Sequence, residues 1–362
     1  MTARIYPARR AIERAVSDPE ARPVRCFAVL LPVWRVEIRT MIKVGEPYEV
    51  FDQYLTRGIG DAHLTTIPEL AEFFAVEESL VKRAVDFLET LDHVKRSGTT
   101  LSLTGLGHES ARDGVRYRIQ EDHRYLYFDG YTSMPFPRAY YTGDLFHDDD
   151  SFDGRDGTRF SVLGSTAPFD HSQIDDVLTR ADRGDFNVPD GLHTPRALHT
   201  GQCWLPAYLV LDGGSIGLQA FTRATEGRDH HVEQVCAEVV DALRAEDKRQ
   251  SPLADWQTWL TRSGFPDVRP QRLANGILRA TLPSDAFGDD KRFRLYQLGS
   301  FEVRNTSFLQ LWCAETTSRK AAVAERARSM AARSRSIDDR EAERLAELLE
   351  VPPLTADEIG IA

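Results

Sequence analysis

The stretch from Thr66 to Glu69 (Thr-Ile-Pro-Glu) constrains the fold of this chain more than any other. A threonine three residues before a glutamate, with a proline in the first turn, is the capping-box signature of a helix start. An apolar face continues from it through Leu70, Phe73 and Phe74. The sequence therefore predicts a short helix that begins directly after the threonine.

Two further helices and a hairpin are predicted around this capped helix. A first helix is predicted at Glu49–Gly58, with Val50, Tyr54 and Leu55 on one apolar face. A third helix is predicted to end near Leu91, with inward apolar residues at the helical period (Leu80, Val81, Ala84, Val85 and Leu88). Residues 94–103 predict two short strands around Ser97 and Gly98, which pair as a hairpin.

This order of helix, capped helix, turn, amphipathic helix and two-stranded wing resembles the winged helix-turn-helix superfamily over residues 50–106. The segment Leu103–Glu109 (LTGLGHE) is similar to the exit pattern LT..G.E of that family. Two positions depart from the family: Ala75 stands where the turn between helices usually has glycine, and Asp92–His93 stands where glycine usually ends the third helix. A resemblance over this part of a 362-residue chain implies a fold more than a function.

The length of the chain predicts two or three domains of an α+β class. Residues 24–44 alternate around Val, Ile and Trp and predict an N-terminal strand pair, with Pro32 at an edge or bend. A larger mixed α/β region with C-terminal helices is expected after the winged helix. The predicted division is an N-terminal arm with strands, a winged helix, a mixed α/β region, and a C-terminal α/β region that ends in a helical hairpin (residues 1–48, 49–115, 116–248 and 249–362).

Charge and apolar runs exclude several classes of protein. A net charge of −11 works against a strong non-specific grip on nucleic acid. The most apolar run, Cys26–Val33, is far shorter than the roughly 20 residues of a membrane span. We therefore expect a cytoplasmic protein without a membrane partner. The four cysteines form no CxxC pair and predict buried, reduced thiols (Cys26, Cys203, Cys236 and Cys313).

The surface of the winged module is acidic. Residues 51–115 hold eleven acids and six bases, a local charge of −5. The side chains expected to contact nucleic acid or a partner lie on the third helix and the wing (Ser79, Lys82, Arg83, Lys95 and Arg96). Because a helix that contacts DNA is normally more basic, protein docking is as good a hypothesis as duplex binding.

A second group of candidate contacts lies near the C-terminus. Residues 319–335 hold six bases and one acid, and Arg319, Arg326 and Arg333 recur every seven residues, with Lys320 beside them. This stripe fits phosphate or an acidic partner. The alternative, which we favour, is an antiparallel hairpin in which these bases pair with the acidic helix that follows.

Other clusters predict structure more than chemistry. The acidic run from Asp148 to Asp156 lacks the acid that a calcium loop needs at its twelfth position, which indicates a solvated loop. The histidines match no metal or catalytic motif, and the aromatic helix at 252–263 is expected to pack in the core (His193, His199, His230 and His231; Trp256, Trp259 and Leu260). Asp212 with Gln219, and Glu302 with Arg304, are imperfect matches to a nuclease pattern. No catalytic residue, metal ligand or cofactor is therefore assigned.

These features favour a winged-helix accessory or regulatory protein over an enzyme. It would dock on a protein partner or on further copies of itself, with nucleic acid as an additional partner. The layout resembles accessory proteins of bacterial antiviral defence operons. The alternatives are a ligand-responsive DNA-binding transcriptional regulator and a metal-dependent nuclease.

Overall fold

The computed structural model describes residues 5–154, 158–188, 192–214, 217–237, 239–247, 252–334 and 339–359. Helices and mixed sheets are interspersed along the chain, which confirms the α+β class. The helices are α1 (Ala8–Val16), α2 (Val50–Gly60), α3 (Ile67–Phe74), α4 (Glu78–Thr90), α5 (Gly105–Asp113), α6 (Ser172–Thr179), α7 (His230–Val235), α8 (Val240–Asp247), α9 (Pro252–Arg262), α10 (Thr316–Ser334), α11 (Asp339–Leu348) and α12 (Ala356–Ile359). The strands are β1 (Pro23–Pro47), β2 (Val94–Ser97), β3 (Thr100–Leu103), β4 (Val115–Asp129), β5 (Ser151–Asp153), β6 (Arg159–Val162), β7 (Leu192–Asp212), β8 (Leu218–Phe221), β9 (Gln271–Arg272), β10 (Leu278–Leu282), β11 (Phe301–Arg304) and β12 (Ser307–Cys313).

The chain divides into two compact units. The large unit comprises Met1–Arg35, Tyr127–Gln173 and Gly201–Ala362, and the small unit comprises Val36–Leu126 and Ile174–Thr200. The four-part division derived from the sequence stays a prediction.

The N-terminal strand region is one continuous strand of 25 residues, β1, and not the predicted strand pair. It belongs to a sheet of order β5-β6-β1-β7-β8, in which β4 also pairs with β1. Pro32 lies inside this strand, and its carbonyl accepts the N–H of Gly130 at 2.8 Å. A Cβ on Gly130 would lie 2.7 Å from that carbonyl oxygen, so only glycine allows this approach. The proline is therefore accommodated without ending the strand.

Alternation along β1 explains two cores of the large unit. Phe27, Val29 and Leu31 join one buried cluster, whereas Cys26 and Leu30 join another. Successive side chains of a strand point to opposite faces, so one apolar run serves both clusters. The second cluster also receives the small-residue face of α1 (Ala8, Ala11, Ile12 and Ala15).

The C-terminal part of the large unit is built on a second sheet, of order β11-β12-β10-β9. Its core contains Trp256 and Leu260, which are 1% and 0% exposed and confirm that the aromatic helix packs inward. A 3-10 turn at Leu295–Gln297 precedes the last two strands of this sheet. The edge of the sheet is supplied by β11, which pairs with β12 across Asn305, a residue with a φ of 52°.

The small unit holds the predicted helical module. The helices α2, α3 and α4 are followed by the antiparallel pair β2–β3, and the capping box of Thr66 and Glu69 at the start of α3 is confirmed. Its core is drawn from all five elements (Leu55, Ile59, Leu70, Ala71, Val81, Val85, Leu88, Val94, Leu101 and Leu103). Ala75 and Asp92 have φ values of 53° and 57°, the left-handed conformation that glycine adopts most easily.

Candidate functional site: the outer surface of the helical module

Several apolar side chains of the module face outward. Val50 is 68%, Tyr54 is 55% and Phe73 is 62% exposed, although the sequence placed each on the same apolar face as a core residue. Leu80 is 38% exposed, so its predicted inward position is wrong. Exposed apolar side chains that cluster on a surface are characteristic of interaction sites.

The helix α4 carries two apolar stripes, which explains the error at Leu80. Val81, Val85 and Leu88 are completely buried on one side. Leu80 and Phe87, which is 42% exposed, lie seven residues apart and so share the other side. The hairpin packs on the first side through Leu101, which is 1% exposed, while on the second side the guanidinium of Arg116 lies 5.5 Å from the centre of the Phe87 ring.

The predicted contact residues of α4 and the wing differ in their surroundings. Ser79, Lys82, Arg83 and Lys95 are exposed, and the Ser79 hydroxyl donates to Glu77 at 3.2 Å. Arg96 instead forms ion pairs with Asp86 at 2.7 Å and with Glu89 at 2.9 Å. One wing cation is thus neutralised by α4 itself, and the cations that remain exposed are Lys82, Arg83 and Lys95.

A buried polar cluster that the sequence did not predict lies at the base of the wing. The side chain of His93 is fully buried, and its Nδ1 lies 3.2 Å from the hydroxyl of Tyr48. Its Nε2 faces the carbonyl oxygen of Tyr117, so that nitrogen carries the proton. Burial lowers the pKa of His93 and raises the pKa values of Asp52 and Tyr48. The cluster holds α2, the start of the wing and β4 in one arrangement.

The basic stripe of α10 is largely occupied within the large unit. Arg319 lies over the ring of Trp312 at 4.9 Å and donates to the carbonyl oxygens of Leu349 at 2.9 Å and Glu350 at 3.1 Å. Arg326 donates to the Tyr296 carbonyl at 2.7 Å and pairs with Glu13 at 3.1 Å.

Lys320, on the same helix, lies 3.5 Å from Glu358. The side chain of Arg333 lies outside the described residues. These contacts are intramolecular, but their acids, Glu13, Glu350 and Glu358, lie outside α11, so the predicted pairing of the bases with the following helix stays a prediction. A contact of this stripe with nucleic acid or a partner stays a prediction.

The other candidate sites are tied into local structure. The carboxylate of Asp212 accepts the N–H groups of Arg22 and of Gly214, the latter at 2.8 Å, and so orders a turn. Asp148 pairs with Arg35 at 2.8 Å. Among the described residues, no group of three or more His, Cys, Asp or Glu side chains is arranged to hold a metal ion.

The histidines and cysteines have structural surroundings. The ring of His231 packs against Phe136 at 5.0 Å, and His230 lies 2.9 Å from Glu233. His193 and His199 belong to the strand β7. All four cysteines are free and buried, as predicted, and burial raises the pKa of Cys26, Cys203 and Cys236 to about 12.

Comparison with family models, curated proteins and solved structures gave no match for this chain. No helix in the described part of the chain has both the length and the apolar character needed to cross a membrane.

Proposed function

We propose that residues 50–106 are a winged-helix module whose main role is to dock on a protein partner through the outer face of α4. The observation that carries this proposal is the exposure of Leu80 and Phe87 on that face. Leucine and phenylalanine gain free energy by leaving water and gain little from a phosphate backbone.

Electrostatics support the same proposal. Residues 51–115 have a net charge of −5, and Arg96 is held by two acids of α4. Duplex DNA presents about one negative charge per 1.7 Å, so an acidic face is repelled unless cations cover it. Lys82, Arg83 and Lys95 favour a second, weaker function, in which the docked module also contacts nucleic acid.

Site-specific crosslinking in the native cells tests which molecule covers α4. A photo-reactive amino acid replaces Phe87, and a matched control carries it at the exposed Glu20 of the large unit. We expect one discrete protein adduct from position 87, lost when Leu80→Ser is added, and no such adduct from position 20. Adducts with nucleic acid alone, or the same protein adducts from both positions, contradict the proposal.

A binding titration tests the nucleic-acid part separately. The full chain is titrated with random-sequence duplex at physiological salt and followed by fluorescence anisotropy. We expect a Kd weaker than about 1 μM, which Lys82→Ala with Arg83→Ala weakens further. Sub-micromolar binding to random duplex would show that the acidic face is no barrier and that duplex contact is the main role.

A further inference from the structure

A second apolar surface lies on α2 and α3. Val50, Tyr54 and Gly58 recur every four residues and therefore share one side of α2. A Cβ on Gly58 would lie 3.1 Å from Cε2 of Phe74, so the ring of Phe74 covers the next turn of that side. The ring of Phe73 stands edge-on to Phe74 at 5.0 Å. The apolar strip is defined as Val50, Tyr54, Phe74 and Phe73.

Two side chains of the apolar strip, Tyr54 and Phe73, contribute little to the core of the module, whereas Phe74 packs against it. Tyr54 and Phe73 are both more than half exposed, whereas Leu55 and Leu70 of the same helices are completely buried. Within the described residues, the hydroxyl of Tyr54 has no hydrogen-bond partner. An aromatic side chain that remains in water does not stabilise the core. Its burial against a partner would supply the free energy of transferring an apolar surface out of water.

The surroundings of the strip are acidic. Residues 49–78 hold seven acids and one base, a net charge of −6. The exposed Glu49 directly precedes Val50, and the exposed Glu72 directly precedes Phe73. The single base, Arg57, lies 3.3 Å from Asp61. A partner must therefore supply positive charge around an apolar centre.

The spacing of the strip fits a helical partner. Positions 50 and 58 are eight residues apart, which corresponds to about 12 Å along α2, or roughly two turns of a facing helix. Apolar residues at i, i+4 and i+7 of such a helix would reach the strip, and Lys or Arg on its flanks would face the acids.

We propose that the apolar strip of α2 and α3 is a docking site for an amphipathic helix with a basic rim, presented by a protein partner. The site does not require the α4 face to be used. Apolar anchors supply most of the affinity in such a contact, and the acids select the sign of the partner's charge and speed its association.

Peptide binding to the full chain tests the proposal. The probe is a fluorescent helical peptide of about 18 residues with leucines on one side and lysines on the other. Two control peptides replace its lysines by glutamate or its leucines by serine. At physiological salt we expect the lysine–leucine peptide to bind and the two control peptides not to bind.

Variants of the strip decide where the peptide binds. The double substitution Tyr54→Ser with Phe73→Ser should weaken binding of the lysine–leucine peptide at least about tenfold. The double substitution Glu49→Lys with Glu72→Lys should also weaken that binding, and should allow the glutamate control peptide to bind. Leu80→Ser with Phe87→Ser is the matched control on α4 and should leave binding unchanged. Unchanged amide exchange at Leu55 and Leu70 verifies that each variant is folded.

Three outcomes would overturn the proposal: no binding of the lysine–leucine peptide, equal binding by the Tyr54→Ser/Phe73→Ser protein, or loss of binding only in the α4 control. Sedimentation of the unliganded chain adds a fourth. A concentration-dependent dimer that disappears in Tyr54→Ser/Phe73→Ser would show that a second copy of this chain, and not a basic helix, occupies the strip. Failure of the α4 crosslink leaves the strip's own test intact, so the two proposals fail separately.

Discussion

The two apolar stripes of α4 make a quantitative prediction about Val85 and Leu80. Val85→Ala removes two carbons from a completely buried site, which costs about 1.6 kcal/mol in transfer free energy. The cavity left in the packed core raises this to about 2.5 kcal/mol. Alanine's higher helix propensity returns roughly 0.5 kcal/mol, so the net cost is about 2 kcal/mol.

Leu80→Ala removes three carbons and is still expected to cost less. Full burial would make the loss about 2.4 kcal/mol, but Leu80 is 38% exposed, which leaves at most about 1.5 kcal/mol. No enclosed cavity forms at the surface, and partial burial in the unfolded chain lowers the difference further, to about 1 kcal/mol. The smaller side chain should therefore have the larger effect, by a factor of about five in the local opening constant.

Native-state amide hydrogen exchange of the full chain measures this difference without requiring the whole chain to unfold in one step. Two amides report on the module's core: the N–H of His93, which donates to Leu88 O at 2.9 Å, and the N–H of Leu101, which donates to Thr65 O at 2.6 Å. Both should exchange faster in Val85→Ala than in Leu80→Ala. Equal acceleration, or the reverse order, would refute the assignment of the two stripes.

Three further predictions concern backbone strain, pH and charge. Ala75→Gly should slow amide exchange in the module and stabilise it by about 0.5–1 kcal/mol, because glycine adopts the positive φ of 53° without the steric penalty of a side chain. Ala71→Gly, in the regular part of α3, is the control and should destabilise the module. Burial lowers the pKa of His93, so the unfolded chain takes up a proton before the folded chain does as pH falls through the ordinary value near 6.5. The stability of the module should therefore decline as pH is lowered from about 8 to about 6. His93→Gln should remove this pH dependence from the local amide exchange, and a pH dependence that persists would belong to another group. Arg326→Ala should lower the thermal midpoint and reduce the free energy of unfolding by about 2–3 kcal/mol, because the side chain is 11% exposed and holds two partners. Lys320→Ala, which breaks an exposed ion pair, should reduce it by under about 1 kcal/mol. Equal effects of the two substitutions would contradict the intramolecular role of Arg326.

Local signals explain which elements could be predicted from the sequence. The capping box at Thr66, the hairpin around Gly98 and the helix at 252–262 depend on residues within a few positions of one another, and all three are confirmed. The strand pair at 24–44 was wrong because a proline inside a strand usually marks an edge or bend. In the structure β1 is continuous through Pro32, whose carbonyl accepts the N–H of Gly130, almost a hundred residues away.

The candidate site was harder to predict for a related reason. Periodicity identifies apolar stripes on α2 and α4 but does not say which stripe faces the core, since Leu80 and Val81 fit equally well until the hairpin is in place. The same holds for Phe73 and Phe74 at the end of α3. The basic stripe of α10 could be recognised, but its partners Glu13 and Tyr296 lie elsewhere in the chain and only folding brings them to Arg326.

Charge and apolar area have different roles on the surface of the module. The acids of residues 49–78 attract a basic partner as it approaches, over a screening length of about 8 Å at physiological ionic strength, and rising salt shortens that range. Phe73 and Tyr54 would bury their rings only in the bound complex, and the free energy of that burial is unaffected by charge screening at moderate salt. If the strip binds as proposed, rising salt should slow association with the basic peptide far more than it speeds dissociation. If both rates changed equally, the acids would be part of the bound contact and the apolar strip would be the minor term.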